Sequence, residues 1–425
     1  MVMLAILAAY PSLQAFAATH TIKKSISFAV EYNDNIAEDS ENQKTDFITH
    51  IKPTIAYKGE GGRITIDSSY KGDYQLYAKS KGMRDFSHDI NVAVMAEVVE
   101  NLFYVNMVED LEPVYRDLTR GELEEGDTMI DTVNRNRIDF SPYFSLQPTD
   151  RTSVSFGYRF SDTRYSKSGY GSRKNFFPSN DEYTFNHNKS QQHAVFAQLV
   201  HEISERCLMY AGVDITRWKG NSADFDDSSN FYRYQGYLGG MYEFSDELSA
   251  SVRLGPSHTV TDDGSKELNP FVEAELKYSI GNTDFKLAYN TTYEDDPQLG
   301  NSTRVSRYSF SIDKTFERAT LNLGISRNSY EDEGGGRKNN RNTTTPYFGF
   351  RYELSERTSF FARYGFILYD DKGRGQNRYQ ATHGFKYELD EDCWVTLSYN
   401  LRRIEPVDEK ALWVNRVILE LTYTF

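Results

Sequence analysis

The stretch LSASVRL, residues 248–254, places an apolar side chain at every second position, with serine or arginine between them. Successive side chains of a β-strand point to opposite faces of a sheet, so this period of two indicates a strand with one apolar and one polar face. The same period recurs in residues 26–32, 64–70, 90–98, 154–160, 268–280, 360–368 and 417–425. A helix would repeat every 3.6 residues, so the pattern predicts an all-β protein.

Short turn signals separate these runs at nine places. They lie at residues 59–62, 100–101, 148–150, 204–205, 245–247, 281–282, 317–318, 355–357 and 390–392. Each interval between them is long enough for a strand, a longer polar loop and a second strand. The spacing therefore predicts repeated antiparallel hairpins, ten strands before the turn at Ser245 and ten after it, with about 18 strands as the alternative count.

The composition excludes several classes of protein. Only 39% of the residues are hydrophobic, and no apolar stretch long enough for a transmembrane helix follows residue 18. The net charge of −14 argues against a nucleic-acid partner, which requires a basic surface. Two cysteines, Cys207 and Cys393, are too few for a disulfide scaffold. They open the ninth and nineteenth predicted strands, which lie on nearly opposite sides of a closed barrel. We therefore expect both thiols to be free, because a disulfide requires the two Cα atoms to lie within about 7 Å of each other.

The first residues are typical of a secretory signal peptide. An apolar segment from Val2 to Tyr10 is followed by Ala15-Phe16-Ala17, an A-x-A type of cleavage site. We therefore expect a signal peptide over residues 1–18 and a single β-barrel domain over residues 19–425. A short buried helix at the start of a soluble protein is the alternative.

Aromatic residues decide between a soluble sandwich and a membrane barrel. They make up 14% of the chain, and several strands end in a tyrosine followed at once by acids, as in Tyr32-Asn33-Asp34. Outer-membrane barrels carry such aromatic girdles where strands enter wet loops. The sequence thus predicts a transmembrane antiparallel up-and-down β-barrel in a Gram-negative outer membrane, surrounded by lipid and lipopolysaccharide, with short periplasmic turns and long extracellular loops. A barrel of about 18 to 20 strands is wide enough for a polar lumen.

Arginine recurs on the polar face of the strands, where we expect it to line the lumen. Guanidinium groups bind carboxylates through two hydrogen bonds, which suits passage of an acidic polymer. Acids share this face, so salt bridges that brace the wall are the alternative. The lumen candidates are Arg63, Arg137, Arg159, Arg233, Arg253, Arg307, Arg351, Arg363, Arg402 and Arg416.

Two loop regions stand out. Residues 110–131 contain eight carboxylates, which indicates a solvated outer loop or a site for divalent cations; EF-hand spacing is missing and we expect no metal. Residues 161–191 are long, mildly basic and aromatic. They are a candidate plug or gate, with a plain outer loop as the alternative.

Two short motifs resemble known families. The C-terminal residues 421–425 resemble the closing strand of outer-membrane proteins, which implies recognition of Phe425 by the barrel assembly machinery. The segment EYNDNI, residues 31–36, resembles β-barrel porin families found with bacterial exopolysaccharide and PEP-CTERM (exosortase) loci. This second resemblance implies a channel or accessory barrel for polysaccharide export, with acidic polysaccharide and periplasmic export proteins as partners.

No catalytic sequence is recognisable around the eight histidines, and neither G-x-S-x-G nor H-E-x-x-H occurs. We therefore expect no enzyme activity, no catalytic residues and no cofactor. Two alternatives to a channel stay open: a non-conducting scaffold barrel that anchors export or surface partners, and an outer-membrane hydrolase with a histidine, a serine and a third polar group at one rim.

Overall fold

The structure is a computed structural model that describes residues 19–80, 84–120, 132–167, 188–221, 230–297, 301–332, 340–370, 376–406 and 410–425. The expected signal peptide, residues 1–18, lies outside these ranges. Within them, no helix has the length and apolar character needed to cross a membrane.

Twenty antiparallel strands and one 3₁₀ turn, Leu118–Arg120, make up the regular structure of the described residues. The strands are β1 (Thr19–Asn33), β2 (Asp46–Glu60), β3 (Ile64–Tyr77), β4 (Arg84–Val99), β5 (Phe103–Tyr115), β6 (Thr132–Thr149), β7 (Thr152–Lys167), β8 (Lys189–Ser204), β9 (Cys207–Asn221), β10 (Phe231–Glu243), β11 (Leu248–Thr261), β12 (Lys266–Ile280), β13 (Thr283–Asp295), β14 (Ser302–Thr315), β15 (Ala319–Asp332), β16 (Asn340–Glu353), β17 (Thr358–Tyr369), β18 (Asn377–Glu388), β19 (Cys393–Glu405) and β20 (Leu412–Thr424).

The sheet closes on itself between the first and last strands. Each strand pairs with its neighbours in the chain, and β1 pairs with both β2 and β20, from Ser25 opposite Thr424 to Asn33 opposite Arg416. The predicted fold class, an up-and-down barrel, is confirmed, with twenty strands. All nine predicted short turns join consecutive strands at one end of the barrel, from β2–β3 to β18–β19. We call that end periplasmic and the long-loop end extracellular, as in other outer-membrane barrels.

Apolar side chains face outwards, the reverse of a soluble protein. Leu238 is 67% exposed and Leu268 is 69% exposed, whereas Ala29 and Glu31, on the inner face of β1, are almost fully buried. Apolar surface on this scale is stable only in contact with lipid, and together with the closed sheet it identifies a transmembrane barrel.

One inner-wall glycine has a visible packing role. Gly324 of β15 lies opposite Tyr347 of β16. A Cβ atom added to Gly324 would lie 2.3 Å from the Tyr347 ring, so the ring lies flat over the glycine. Because the ring follows the wall rather than projecting from it, the lumen stays open on this side.

Candidate functional site in the barrel lumen

The extracellular end of the β13–β14 hairpin separates from β12 and turns into the lumen, while β14 stays paired with β15 as far as Thr303 opposite Asp332. Pairing of β12 with β13 starts at Ile280 opposite Thr283 and stops at Glu273 opposite Asn290. Pairing of β13 with β14 continues as far as Asp295. Residues 291–297 and 301–306, which we name the inward hairpin, therefore stay paired with each other after separating from β12.

Asp295 anchors the inward hairpin to the far wall. Its carboxylate accepts hydrogen bonds from the Trp218 indole N–H of β9 at 2.9 Å and from the Ser190 hydroxyl of β8 at 2.7 Å. Its main-chain carbonyl accepts a hydrogen bond from the Tyr165 hydroxyl of β7 at 3.1 Å. A residue of β13 can reach β7, β8 and β9 only through the interior of the barrel.

Further contacts fill the space between the inward hairpin and the wall formed by β10–β12. The Tyr293 and Ser257 hydroxyl oxygens lie 3.0 Å apart, and the Arg233 guanidinium stacks 3.5 Å from the centre of the Tyr293 ring. Arg304 donates a hydrogen bond to the Pro270 carbonyl at 3.3 Å. These contacts pack the inward hairpin against the inner face of β10–β12.

Arg341 of β16 links the hairpin to the strands on its other side, away from β7–β12. Its guanidinium contacts the carboxylates of Asp296 at 2.8 Å and Asp332 at 3.2 Å, and that of Asp117 at 3.8 Å. Asp296 is fully buried, so its charge depends on this arginine. One cation thus connects the inward hairpin with the end of β15 and with the loop between β5 and β6.

The loop between β5 and β6 also bends into the lumen. The hydroxyl of Thr119 donates a hydrogen bond to the Tyr369 hydroxyl of β17 at 3.1 Å. Arg120 is buried and its guanidinium stacks 3.8 Å from the centre of the Tyr115 ring. This loop therefore narrows the mouth from the side opposite the inward hairpin.

The two loop regions singled out in the sequence are only partly described. Asp110 and Glu112 belong to β5, where both pair with Arg135 of β6, so the interpretation of residues 110–131 as one loop is wrong at its start. Residues 121–131 lie outside the described ranges. Of the candidate plug, residues 161–191, the ends belong to β7 and β8, and residues 168–187 lie outside the described ranges.

A polar cavity of about 1510 Å³ remains between the inward hairpin, strands β1–β7 and strands β14–β20. Ten lysine and arginine residues line it against seven carboxylates, although the whole chain carries a net charge of −14. The cations are Lys52, Lys71, Arg120, Arg135, Arg137, Arg307, Arg363, Arg378, Arg402 and Arg416, and the carboxylates are Glu31, Asp73, Asp89, Glu112, Glu294, Asp295 and Glu420. Cationic side chains are therefore concentrated in the lumen.

The ten arginines proposed from the sequence occupy three kinds of position. Those that line the cavity are Arg137, Arg307, Arg363, Arg402 and Arg416. Four others lie elsewhere on the strands: Arg159 beside Asp214, Arg233 against Tyr293, Arg253 beside Glu273, and Arg351 on β16 opposite Thr320. Arg63 lies in the β2–β3 turn, where it pairs with Glu100 in exposed positions.

Both interpretations of the arginines apply to particular residues. Arg416 contacts the Glu31 carboxylate through two hydrogen bonds, at 2.8 Å and 2.5 Å, and both side chains are buried. Arg402 pairs with the buried Glu38 at 3.0 Å. Arg363 faces the cavity and has no carboxylate partner among the described residues. The first two brace the wall, and the third is available to a solute.

A buried polar network holds the closing seam of the barrel. Beside the pair of Arg416 in β20 and Glu31 in β1, the Glu31 carboxylate lies 3.4 Å from Nε2 of His50 in β2. Nδ1 of His50 lies 3.0 Å from the carboxylate of Asp73 in β3. Four neighbouring strands are thus linked across the seam, a role that sequence reasoning missed because the partners are distant in the chain.

The motif of residues 31–36 fastens the first loop to the last strand. Asp34 accepts hydrogen bonds from the main-chain N–H of Asn415 at 2.7 Å and from its side-chain amide at 2.6 Å. Asn35 donates to the carbonyls of Asp39 at 2.9 Å and Trp413 at 3.3 Å. The structure therefore shows a seam-closing role for the residues that carry the family resemblance.

Known proteins share the fold and part of the sequence pattern. The model of the Gram-negative porin family matches residues 216–373. A mutant of the ferric enterobactin receptor PfeA from Pseudomonas aeruginosa has a TM-score of 0.54 at 11% identity, covering 96% of this chain and 81% of that chain. The siderophore receptor PirA from Acinetobacter baumannii has a TM-score of 0.52 at 8% identity, with the same coverage of 96% and 81%. No curated protein matches the sequence significantly.

At such low identity the likeness to solved structures shows the fold alone. The lipid-facing barrel, the porin-family match and the outer-membrane neighbours agree with one another, and the expected location is confirmed. The protein is an integral protein of the bacterial outer membrane with a porin-like barrel.

Proposed function

We propose that the barrel is a channel for polar, preferably anionic solutes, and that acidic polysaccharide on its way out of the cell is its cargo. The observation that carries the proposal is the excess of ten cations over seven carboxylates around the cavity of an acidic protein. A narrow, low-dielectric passage lined by one sign of charge raises the local concentration of the opposite ion. Anions would therefore enter more readily than cations.

The arginines of β17–β20 form a route for carboxylates. Arg363, Arg378, Arg402 and Arg416 occupy successive strands and line the same cavity. Arg402 and Arg416 are held by Glu38 and Glu31, which weakens their hold on a passing anion. Conduction requires sites that bind a solute yet release it, and this mixture of paired and available guanidinium groups meets both demands.

Two further observations favour a saccharide among anionic solutes. The ring of Tyr347 lies flat on the wall over Gly324 and lines the cavity, where it offers an apolar face to the C–H groups of a sugar ring. The segment of residues 31–36 resembles barrel families that occur with exopolysaccharide loci. Periplasmic export proteins, and the barrel assembly machinery acting on the 71% exposed Phe425, are the partners that we propose.

Single-channel recording in planar bilayers tests the proposal. We expect anion-selective conductance that oligouronates block and neutral oligosaccharides of equal length do not. The Arg363→Gln variant should lose part of the anion preference and of the block, because it removes an available cation from the cavity. The matched control is Arg63→Gln, which removes an arginine from an exposed turn. Cation selectivity, or equal block by neutral and acidic chains, would refute an anionic cargo.

A non-conducting scaffold is the second candidate, because the inward hairpin and the β5–β6 loop both narrow the mouth. Bilayers that stay electrically silent with folded protein present would favour it. We also propose that the barrel is not an enzyme. The neighbours of His50 are the carboxylates of Glu31 and Asp73, an arrangement suited to bracing the wall.

A further inference from the structure

We propose that the inward hairpin is a movable plug and that the unpaired edge of β12 is the place in the wall that receives it when the pore widens. This proposal rests on the proposed channel and adds its regulation. Four observations support it: the free edge, the length of β13 available to cover that edge, the place of Tyr293 in the alternation, and the kind of contacts that hold the hairpin inside.

The edge of β12 that faces the inward hairpin is open. Lys266 to Val272 pair with β11 but with no residue of β13 among the described residues. Open strand edges attract a further strand, and proline is tolerated there because it has no N–H to satisfy. Pro270 lies in this stretch, and Arg304 donates a hydrogen bond to its carbonyl. The open edge is thus partly protected by a contact from the hairpin itself.

The separated part of β13 covers most of the open edge in length. Continuing the existing register from Glu273 opposite Asn290 places residue 291 opposite Val272 and Asp295 opposite Leu268. The last five residues of β13 would then pair with five of the seven residues of the open edge. The main-chain groups along the open edge would gain partners in that position.

The alternation of the hairpin fits a wall strand at Tyr293 but not at its neighbours. In β13, the outward phase of Leu287 and Tyr289 continues through Thr291, Tyr293 and Asp295, and only Tyr293 of these last three is aromatic. In the wall position, Tyr293 would face the membrane interface, where aromatic girdle residues belong. In the structure, Tyr293 instead lies inside the lumen under Arg233. Tyr293 therefore suits the wall position, whereas Thr291 and Asp295, which are polar members of the same phase, suit the position in the lumen that the structure shows.

The contacts that hold the hairpin inside are mainly polar. Asp295 is held by Trp218 and Ser190, and Asp296 is held by Arg341. Moving into the wall would exchange these bonds for backbone bonds with β12, so neither position leaves the hairpin without partners. A segment that finds hydrogen-bond partners in each of two positions can switch between them, as segments do in many conformational switches. This movement would empty the half of the lumen bounded by β7–β12.

Disulfide trapping of the full-length protein distinguishes the two positions. In a background with Cys207→Ser and Cys393→Ser, Asp295→Cys is combined either with Ser190→Cys or with Leu268→Cys. The first pair reports the inward position, since the Ser190 and Asp295 side chains are 2.7 Å apart. The second pair reports the wall position, in which residue 268 lies opposite residue 295. Both variants share one cysteine, so each is the control of the other.

We expect both disulfides to form in folded barrels under mild oxidation, and the wall-position pair to give a severalfold larger conductance than the inward pair. Reduction should abolish the difference. Quantitative formation of the inward pair with no formation of the wall-position pair would overturn the proposal. Trp218→Phe, which removes one donor to Asp295, should speed formation of the wall-position disulfide if both double variants fold, and no change in that rate would also count against the plug.

Failure of this inference can be told apart from failure of the proposed function. Cross-linking is read by mass spectrometry and needs no transport. A barrel with anion-selective conductance whose hairpin never reaches β12 would keep the channel and lose the plug. A silent barrel whose hairpin reaches β12 would keep the movement and lose the channel.

Discussion

The closing seam offers the sharpest test of how the barrel is held together. The Glu31→Gln substitution keeps the shape of the side chain and removes its charge. The guanidinium of Arg416, which is 7% exposed, then has no carboxylate at the position where Glu31 now accepts two hydrogen bonds. His50 loses a neighbouring acceptor in the same step. We expect the seam between β1 and β20 to weaken.

The expected loss in free energy of unfolding follows from the burial of this ion pair. Removing one partner of a buried ion pair costs about 3–5 kcal/mol, because the remaining charge is left without compensation. The lumen is wet nearby, so we expect the lower end, about 3 kcal/mol. The exposed pair of Arg63 and Glu100 is the internal standard, with side chains 55% and 66% exposed. Breaking an exposed pair by Arg63→Gln should cost about 0–1 kcal/mol.

Urea unfolding in lipid vesicles, followed by tryptophan fluorescence and by the gel mobility of folded barrels, measures the free energy of unfolding. The double variant Glu31→Leu with Arg416→Met should recover most of the loss, since apolar pairs of similar volume often replace buried ion pairs at little cost. If Glu31→Gln and Arg63→Gln differ by less than about 1 kcal/mol, the reasoning about burial at the seam is refuted.

Three more predictions concern the outer face, the first loop and the thiols. Leu254→Arg places a charge on the lipid face and should lower the free energy of unfolding by about 2–4 kcal/mol. Ser251→Arg, on the lumen side of the same strand, should lower it far less. Equal losses of stability in urea unfolding would contradict the assigned faces. Asn35→Ala removes hydrogen bonds to the first loop and to the last strand and should lower the free energy of unfolding by about 1–3 kcal/mol. We also expect faster amide hydrogen exchange in residues 34–45, and unchanged exchange would argue against the fastening role. Cys207 and Cys393, at the starts of β9 and β19, should both alkylate without reductant after unfolding, and mass spectrometry that finds a bridged product would disprove the register.

Side-chain alternation and turn residues are local properties of the chain, so the strands could be predicted from the sequence alone. In residues 248–254 the side chains alternate because a strand has two faces, and the structure places them on β11 with Leu254 towards lipid. The nine short turns were predictable for the same reason, since each depends on a few adjacent residues. The count of these local units predicted 18 to 20 strands and hence a lumen, and the structure has twenty strands.

The arginine pattern was predictable only in part. Alternation places Arg416 and Arg363 on the inner face, but it does not say which of them finds a carboxylate. Arg416 meets Glu31 only because β20 closes on β1, across 385 positions of sequence. Arg63 falls at a polar position of the alternating pattern, but it lies in a turn at the end of the barrel, where that pattern no longer decides which side chains face the lumen.

The inward hairpin marks the limit of what local pattern determined. Leu287, Tyr289 and Tyr293 share one phase, and the sequence by itself predicts that the strand stays in the wall as far as Tyr293, with the acids that follow it in a wet loop. The tertiary structure decided otherwise, because Asp295 meets Trp218, Ser190 and Tyr165, which lie 77, 105 and 130 residues away in the chain. Side-chain periodicity records which face of a strand is polar. Whether the strand stays in the wall depends on the balance between hydrogen bonds to its neighbour and hydrogen bonds across the lumen, and only the folded barrel brings both sets of partners within reach.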